Sequence, residues 1–234
     1  MIIPDVVHTL SEVDTDALLS MNSAHAPFWD YFMSAFTGKL IWVPMYASIL
    51  YVLIVNFHWK AVVAYVVAIA LIITFADKLS VEVIRPIVMR LRPANPDNPI
   101  AHLVHIVDGY RGGAYGFPSS HAANSFGLAL FVAFLFRRHK LVFFIFFWAL
   151  MNCYTRIYLG VHYPGDLLMG LIIGAFFGWI FTFVVYKLLN RYLKPYVCHL
   201  RRPEMKHPLM PIYVGTLTIA GISVYAGMSS LGWI

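Results

Sequence analysis

The chain has 234 residues, 60% of them hydrophobic and 12% charged, with a mean hydropathy of +0.72 and a formal charge of +6. Soluble domains carry about a quarter charged residues, and a chain of this size leaves much of its surface in contact with solvent, so the solvent here has to be a bilayer. Collagen-like, disulfide-rich, coiled-coil and disordered readings are excluded by the two cysteines, the aperiodic glycines and the many large apolar side chains.

Residues 1–37 mix Asp5, Glu12, Asp14, Asp16 and Asp30 with apolar residues such as Leu18, Phe28, Trp29, Phe32 and Phe36. A cationic start followed by an apolar run is absent, so no cleavable signal peptide is expected; one or two helices lying along the interface are predicted. Six uncharged apolar windows follow: Leu40 to Phe57, Ala61 to Ala76, Ala122 to Phe136, Leu141 to Thr155, Leu167 to Tyr186 and Met210 to Met228. A helix crossing the hydrocarbon needs about 20 residues, and no window alternates with a period of two, which argues against a barrel. The fold expected is therefore all-α, a polytopic membrane protein with six transmembrane helices in one domain spanning 1–234. Between the second and third windows, residues 77–121 hold Pro86, Pro93, Pro96, Pro99 and Pro118 with Gly109, Gly112, Gly113 and Gly116. This stretch is too broken for another span and predicts a long extracytoplasmic loop. Cys153 in an apolar run and Cys198 in a basic stretch read as two free thiols.

Six crossings put both termini on one side of the membrane. The opposite side collects Lys60, the cluster Arg137, Arg138 and Lys140, and the basic loop from Lys187 to His207, while ten of the eleven acidic residues fall on the side of the termini. The positive-inside rule then places the basic loops in the cytoplasm, meeting anionic headgroups, and the Pro/Gly-rich segment outside. The net positive charge is thereby explained by a bilayer, with no nucleic-acid partner.

Three polar constellations interrupt the apolar chain, all on the extracytoplasmic face. Lys78 and Arg85-Pro86 stand seven residues apart, two turns of an α-helix. Pro118-Ser119-Ser120-His121 precedes the third span, and Thr155-Arg156, His162 and Asp166 link the fourth to the fifth. Singly, each has an ordinary reading: a basic residue anchoring a span end, a serine capping a helix, an aspartate favoured at a helix start. Together they supply what phosphoryl transfer without a metal or cofactor needs. Fixed cations and the N–H groups of a helix start can hold the charge on the phosphoryl oxygens, an imidazole held by Asp166 can attack phosphorus, and a second imidazole can protonate the leaving oxygen.

The three segments resemble the signature of the type 2 phosphatidate phosphatase family, which shares its site with vanadium haloperoxidases and bacterial class A acid phosphatases. Lys-six residues-Arg-Pro is matched by Lys78, Arg85 and Pro86. Pro-Ser-Gly-His is matched by Pro118 to His121 with Ser120 in the Gly place. Ser-Arg-five residues-His-three residues-Asp is matched by Thr155, Arg156, His162 and Asp166. The resemblance implies that His162 forms a phosphohistidine, Asp166 orients it, His121 serves the leaving group and then water, and Lys78, Arg85, Ser119, Ser120 and Arg156 bind the phosphate, with no metal.

It also implies a bacterial inner-membrane lipid phosphatase with its site facing the periplasm. Undecaprenyl diphosphate is the substrate favoured; phosphatidate, phosphatidylglycerophosphate and lipid A are the alternatives. Ala94 to Phe117 reads either as a solvated connector or as a lid over the headgroup. A transporter would be expected to carry ionisable residues deep in its spans, and a non-catalytic lipid-binding relative to have lost a histidine or the aspartate.

Overall fold

The computed structural model describes residues 2–192 and 205–234, with side chains from Thr9 onward. Among these residues the regular elements are all helices. Two helices, α1 (Ile2–Asn22) and α2 (Pro27–Phe36), precede a short 3₁₀ turn at Leu40–Trp42 and α3 (Val43–Asn56). α4 (Trp59–Lys78) runs on through a π-helical turn, Leu79–Ile84, into the single turn α5 (Arg85–Val88). After an irregular loop come α6 (Ser120–Phe136), α7 (His139–Tyr158), α8 (Pro164–Tyr192) and α9 (Met210–Ser230).

Each of the six apolar windows is a helix, but they are not equal in length. Trp59–Val88, His139–Tyr158, Pro164–Tyr192 and Met210–Ser230 are long and apolar enough to cross a membrane. A fifth crossing results if Pro27–Phe36 and Leu40–Asn56, bent by 70°, are taken as one span. α6 has only 17 residues, a rise of about 25 Å, against the roughly 30 Å of a bilayer core. The expected loop also starts later than predicted, because helix continues through Lys78 to Val88. Pro86 should break a helix by clashing with the carbonyl four residues earlier. The wider π-helical turn immediately before it relieves that clash.

α6 is the centre of the bundle, with Ala122, Ala129 and Val132 among its fully buried residues. α8 lies against it along Gly170, Gly174 and Gly178, one residue per helical turn. A Cβ at Gly170 would collide with the Ser119 carbonyl and one at Gly174 with the Ala123 carbonyl. Small residues let two backbones approach in this way where lipid supplies no hydrophobic drive between helices. The Ser119 amide consequently donates to the Asp166 carbonyl at 2.9 Å, bringing the starts of α6 and α8 together. α4 and α7 complete the shell around α6, and α9 packs on α2 and α3. Outward faces stay apolar, as at Phe143, Trp179 and Leu217, which suits contact with lipid. Cys153 is a buried free thiol; Cys198 lies outside the described residues.

Candidate active site

The turn from α7 to α8 carries His162 and Asp166, the residues expected to form the reactive pair. Gly160, at φ +67°, reverses the chain after α7, Pro164 starts α8 at a position suited to its fixed φ, and Asp166 sits in the first helical turn. Both His162 and Asp166 are buried. Asp166 Oδ2 lies 3.2 Å from His162 Nδ1 and accepts the Tyr163 amide at 3.1 Å. On the other side of the ring, Arg92 Nη1 lies 2.9 Å from His162 Nε2. A guanidinium only donates, so Nε2 is the acceptor and Nδ1 carries the proton toward Asp166. The lone pair that could attack phosphorus is therefore on Nε2, under Arg92.

Burial, followed by the charges of Arg92, Arg156 and Arg85, holds the His162 imidazole well below its ordinary pKa. Arg92 itself is buried and pushed down to about 10 by burial and by Arg85 and Arg156, which leaves it cationic at neutral pH. Its second contact is the Val161 carbonyl at 3.0 Å. Arg156 is buried as well, donating to Thr37 Oγ1 at 2.9 Å and to Tyr110 Oη at 3.2 Å. The Nε–H groups of both Arg92 and Arg156 are buried without a hydrogen-bond partner. Unpaired buried donors are costly, and two of them beside a histidine are suited to an anion. Burial raises the Tyr110 phenol, but the hydrogen bond and charge of Arg156 outweigh it and leave the group below its ordinary pKa.

The remaining expected residues divide. Arg85 donates to the Pro118 carbonyl at 3.1 Å and to Ser120 Oγ at 3.3 Å, which places both against the start of α6. His121, half-buried, lies within electrostatic reach of Arg156 and His162. Ser119 is fully buried and caps α6, its hydroxyl accepting the Ala122 amide at 3.5 Å. With its own amide spent on Asp166, it is placed as a tie between helices rather than as an open phosphate ligand. Thr155 is buried and donates to the Asn152 carbonyl at 2.7 Å. Lys78 is not brought to the group: its side chain is 64% exposed and lies 4.0 Å from Glu82. The π-helical turn between Lys78 and Arg85 breaks the two-turn register that would have put them on one face.

Arg92 stands where Lys78 was expected to contribute. A signal for it exists in the sequence: Arg85, six residues, then Arg92-Pro93 repeats the spacing of Lys78, six residues, Arg85-Pro86. Arg90, also unforeseen, reaches Asp166 Oδ1 at 3.1 Å. The segment after Arg92 folds back as a wall. The Arg92 amide donates to Ala114 at 3.0 Å, the Gly116 amide to Arg90 at 2.9 Å, and Arg111 Nη1 to Ala94 at 2.6 Å. Gly116 presses so closely on the dyad that a Cβ there would lie 2.8 Å from Asp166 Oδ2. A cavity of about 480 Å³ opens beside His121 and Ser120, with Thr37 and Lys39 at its polar end and Ile49, Leu53 and Ile69 along its apolar walls.

Residues 59–190, more than half of the chain, match the PAP2 superfamily. The chain belongs to this superfamily. The PAP2 protein is 58% identical over 96% of its length to the whole of a lipid A 4′-phosphatase of Bacteroides thetaiotaomicron. It is 34% identical to a lipid A 4′-phosphatase of Porphyromonas gingivalis over 75% of this chain and 73% of that one. A likeness of 34% to the undecaprenyl-diphosphatase BcrC of Bacillus subtilis extends over 35% of the chain and 41% of the relative. The crystal structure of Aquifex aeolicus LpxE shares the fold at a TM-score of 0.54 and 24% identity, covering 71% of this chain and 93% of that one. This PAP2 protein is a phosphatase, a hydrolase acting on membrane lipid phosphate.

Proposed function

We propose that this PAP2 phosphatase removes the 4′-phosphate of lipid A, without a metal, through a phosphohistidine. The observation that carries the substrate is the 58% identity spanning 96% of the chain and all of the Bacteroides relative. The undecaprenyl-diphosphatase likeness covers only 35% of the chain, so the expectation of undecaprenyl diphosphate gives way to lipid A. The cavity beside His121 supports a substrate with a long apolar tail: its mouth is polar and its walls are the lipid-depth residues of α3 and α4.

In this reading His162 Nε2 attacks phosphorus and the P–O bond to the lipid breaks. His121 gives its proton to the departing oxygen, while Asp166 holds Nδ1–H and stabilises the charged ring. His121 then takes a proton from water, which attacks the phosphohistidine to release phosphate and restore His162. Arg85, Arg92 and Arg156 stabilise the phosphoryl oxygens, with Ser120 beside Arg85. Arg92 takes the role expected of Lys78, and Ser119 acts by fixing α6 against α8. The bundle crosses the bacterial inner membrane six times, with α3 and the short α6 as the fifth and sixth crossings beside the four longer helices. Both termini and the site then face the periplasm; a reporter after Ile234 that is active only in the cytoplasm would contradict this orientation.

The test is phosphate release by the purified protein in detergent with excess chelator, over lipid A, undecaprenyl diphosphate, phosphatidate and phosphatidylglycerophosphate, with mass spectrometry locating the phosphate lost. Release from the 4′ position of lipid A, abolished in His162→Ala, is expected. Preference for another lipid, or loss of activity with chelator, would overturn the reading.

A further inference from the structure

α1 meets the rest of the protein along one stripe, Asp14, Leu18 and Asn22, spaced four residues apart as one helix face requires. Leu18 and Asn22 are buried and the Asp14 side chain is 14% exposed, whereas Asp16, two residues on, faces solvent. The two polar members of the stripe grip the two ends of the catalytic turn. Asn22 Nδ2 donates to the carbonyls of Ile157 at 3.2 Å and Tyr158 at 2.7 Å, where α7 ends, and to the His105 carbonyl at 3.1 Å. Asn22 Oδ1 accepts the His105 amide at 2.7 Å. Asp14 Oδ1 accepts the Gly165 amide at 2.7 Å, where α8 begins. His162 lies between these two points.

Asp14 does more than cap the turn. Its Oδ2 lies 2.7 Å from Arg90 Nη1, and the same nitrogen lies 3.1 Å from Asp166 Oδ1. The Arg90 guanidinium is stacked 3.7 Å from the centre of the Tyr163 ring, which holds it flat between the two carboxylates. Asp166 has to keep its negative charge for the His162 ring. A lone guanidinium on its other oxygen would draw that charge away; a guanidinium shared with Asp14 orients the carboxylate while giving up only part of its field.

We propose that Asp14 and Arg90 are positioning residues for the His162–Asp166 dyad, and that α1 is an obligatory strap on the catalytic turn rather than only an interfacial anchor. The proposal rests on the phosphohistidine reading above. Neither residue is placed in contact with substrate, so their effect falls on kcat and leaves KM unchanged.

The experiment compares steady-state lipid A dephosphorylation by wild type, Asp14→Asn, Arg90→Gln and Asp16→Asn, each taken from the monodisperse folded peak in detergent with its unfolding temperature recorded. Asp14→Asn keeps an oxygen for the Gly165 amide but removes the charge and the acceptor that face Arg90; Asp16→Asn makes the same charge change on the solvent face. Asp14→Asn and Arg90→Gln are expected to lower kcat about tenfold or more with KM within twofold, and Asp16→Asn to match wild type. Should Asp14→Asn yield no folded protein, Arg90→Gln alone decides. A kcat equal to that of Asp16→Asn, or a loss carried by KM, would overturn the positioning role. A wild-type enzyme inactive on lipid A, or a His162→Ala variant that remains active, would instead overturn the underlying reading.

Discussion

Arg92→Ala and Lys78→Ala test which cation serves the phosphate. Arg92 is buried, touches His162 Nε2 at 2.9 Å and carries a buried Nε–H with no partner. Removing one preorganised donor to a developing oxyanion costs about 2.7–4 kcal/mol, a fall of roughly 10² to 10³ in kcat. Lys78 is 64% exposed and 4.0 Å from an equally exposed Glu82, and such surface pairs contribute about 0–1 kcal/mol. Lys78→Ala should therefore stay within a few-fold of wild type. The assay is initial-rate phosphate release from lipid A in detergent micelles at saturating substrate, with Arg92→Lys as a third variant to separate charge from the two-pronged guanidinium geometry. Arg92→Lys is expected to recover only part of the loss. If Lys78→Ala drops more than tenfold while Arg92→Ala retains most of its activity, the assignment drawn from the structure is wrong and the upstream Lys-six residues-Arg-Pro match was the operative one.

Three further outcomes follow from the same geometry. His162→Ala and His121→Ala should each abolish turnover; either variant retaining more than a few per cent of wild-type phosphate release contradicts the role given to that residue. Burial, and then the cations around His162, penalise its protonated form, so the ring stays neutral as pH falls through 6.5, and the acid limb of kcat/KM for the free enzyme should lie below that value. Arg92→Gln removes the largest of those charges and should move the limb upward; a pH profile in which it stays put or moves down refutes the electrostatic account. Gly174→Val forces α8 off the Ala123 backbone. Overpacking of this kind costs about 1–3 kcal/mol, so a lowered unfolding temperature in detergent is expected, and an unchanged one would show that the close helix contact is not needed.

Helix positions were legible from hydropathy and its period, because a lipid-exposed span has to be a helix or a barrel strand and no apolar window alternates with a period of two. Their role as crossings was less so: Pro27–Phe36 abuts α3 at a sharp bend, and α6, largely buried among its neighbours, has only 17 residues. The histidines, Asp166, Arg85, Ser120 and Arg156 could be gathered from sequence because short spacings at helix ends survive folding with little change. Lys78 stands apart from this group because a π-helical turn, invisible in a residue count, separates it from Arg85 and spoils the two-turn register. Asp14 and Arg90 had no local signal at all. Their pairing joins residues 76 apart, and in a sequence an acid on an amphipathic helix looks the same whether it meets water or a guanidinium.

With Arg92 Nη1 2.9 Å from His162 Nε2, the nitrogen proposed to attack phosphorus is capped by a guanidinium. On the proposed mechanism, an anion that offers this guanidinium another acceptor would free the lone pair, so that binding of the phosphate and exposure of the attacking nitrogen would be coupled. Selection by charge would then precede selection by shape.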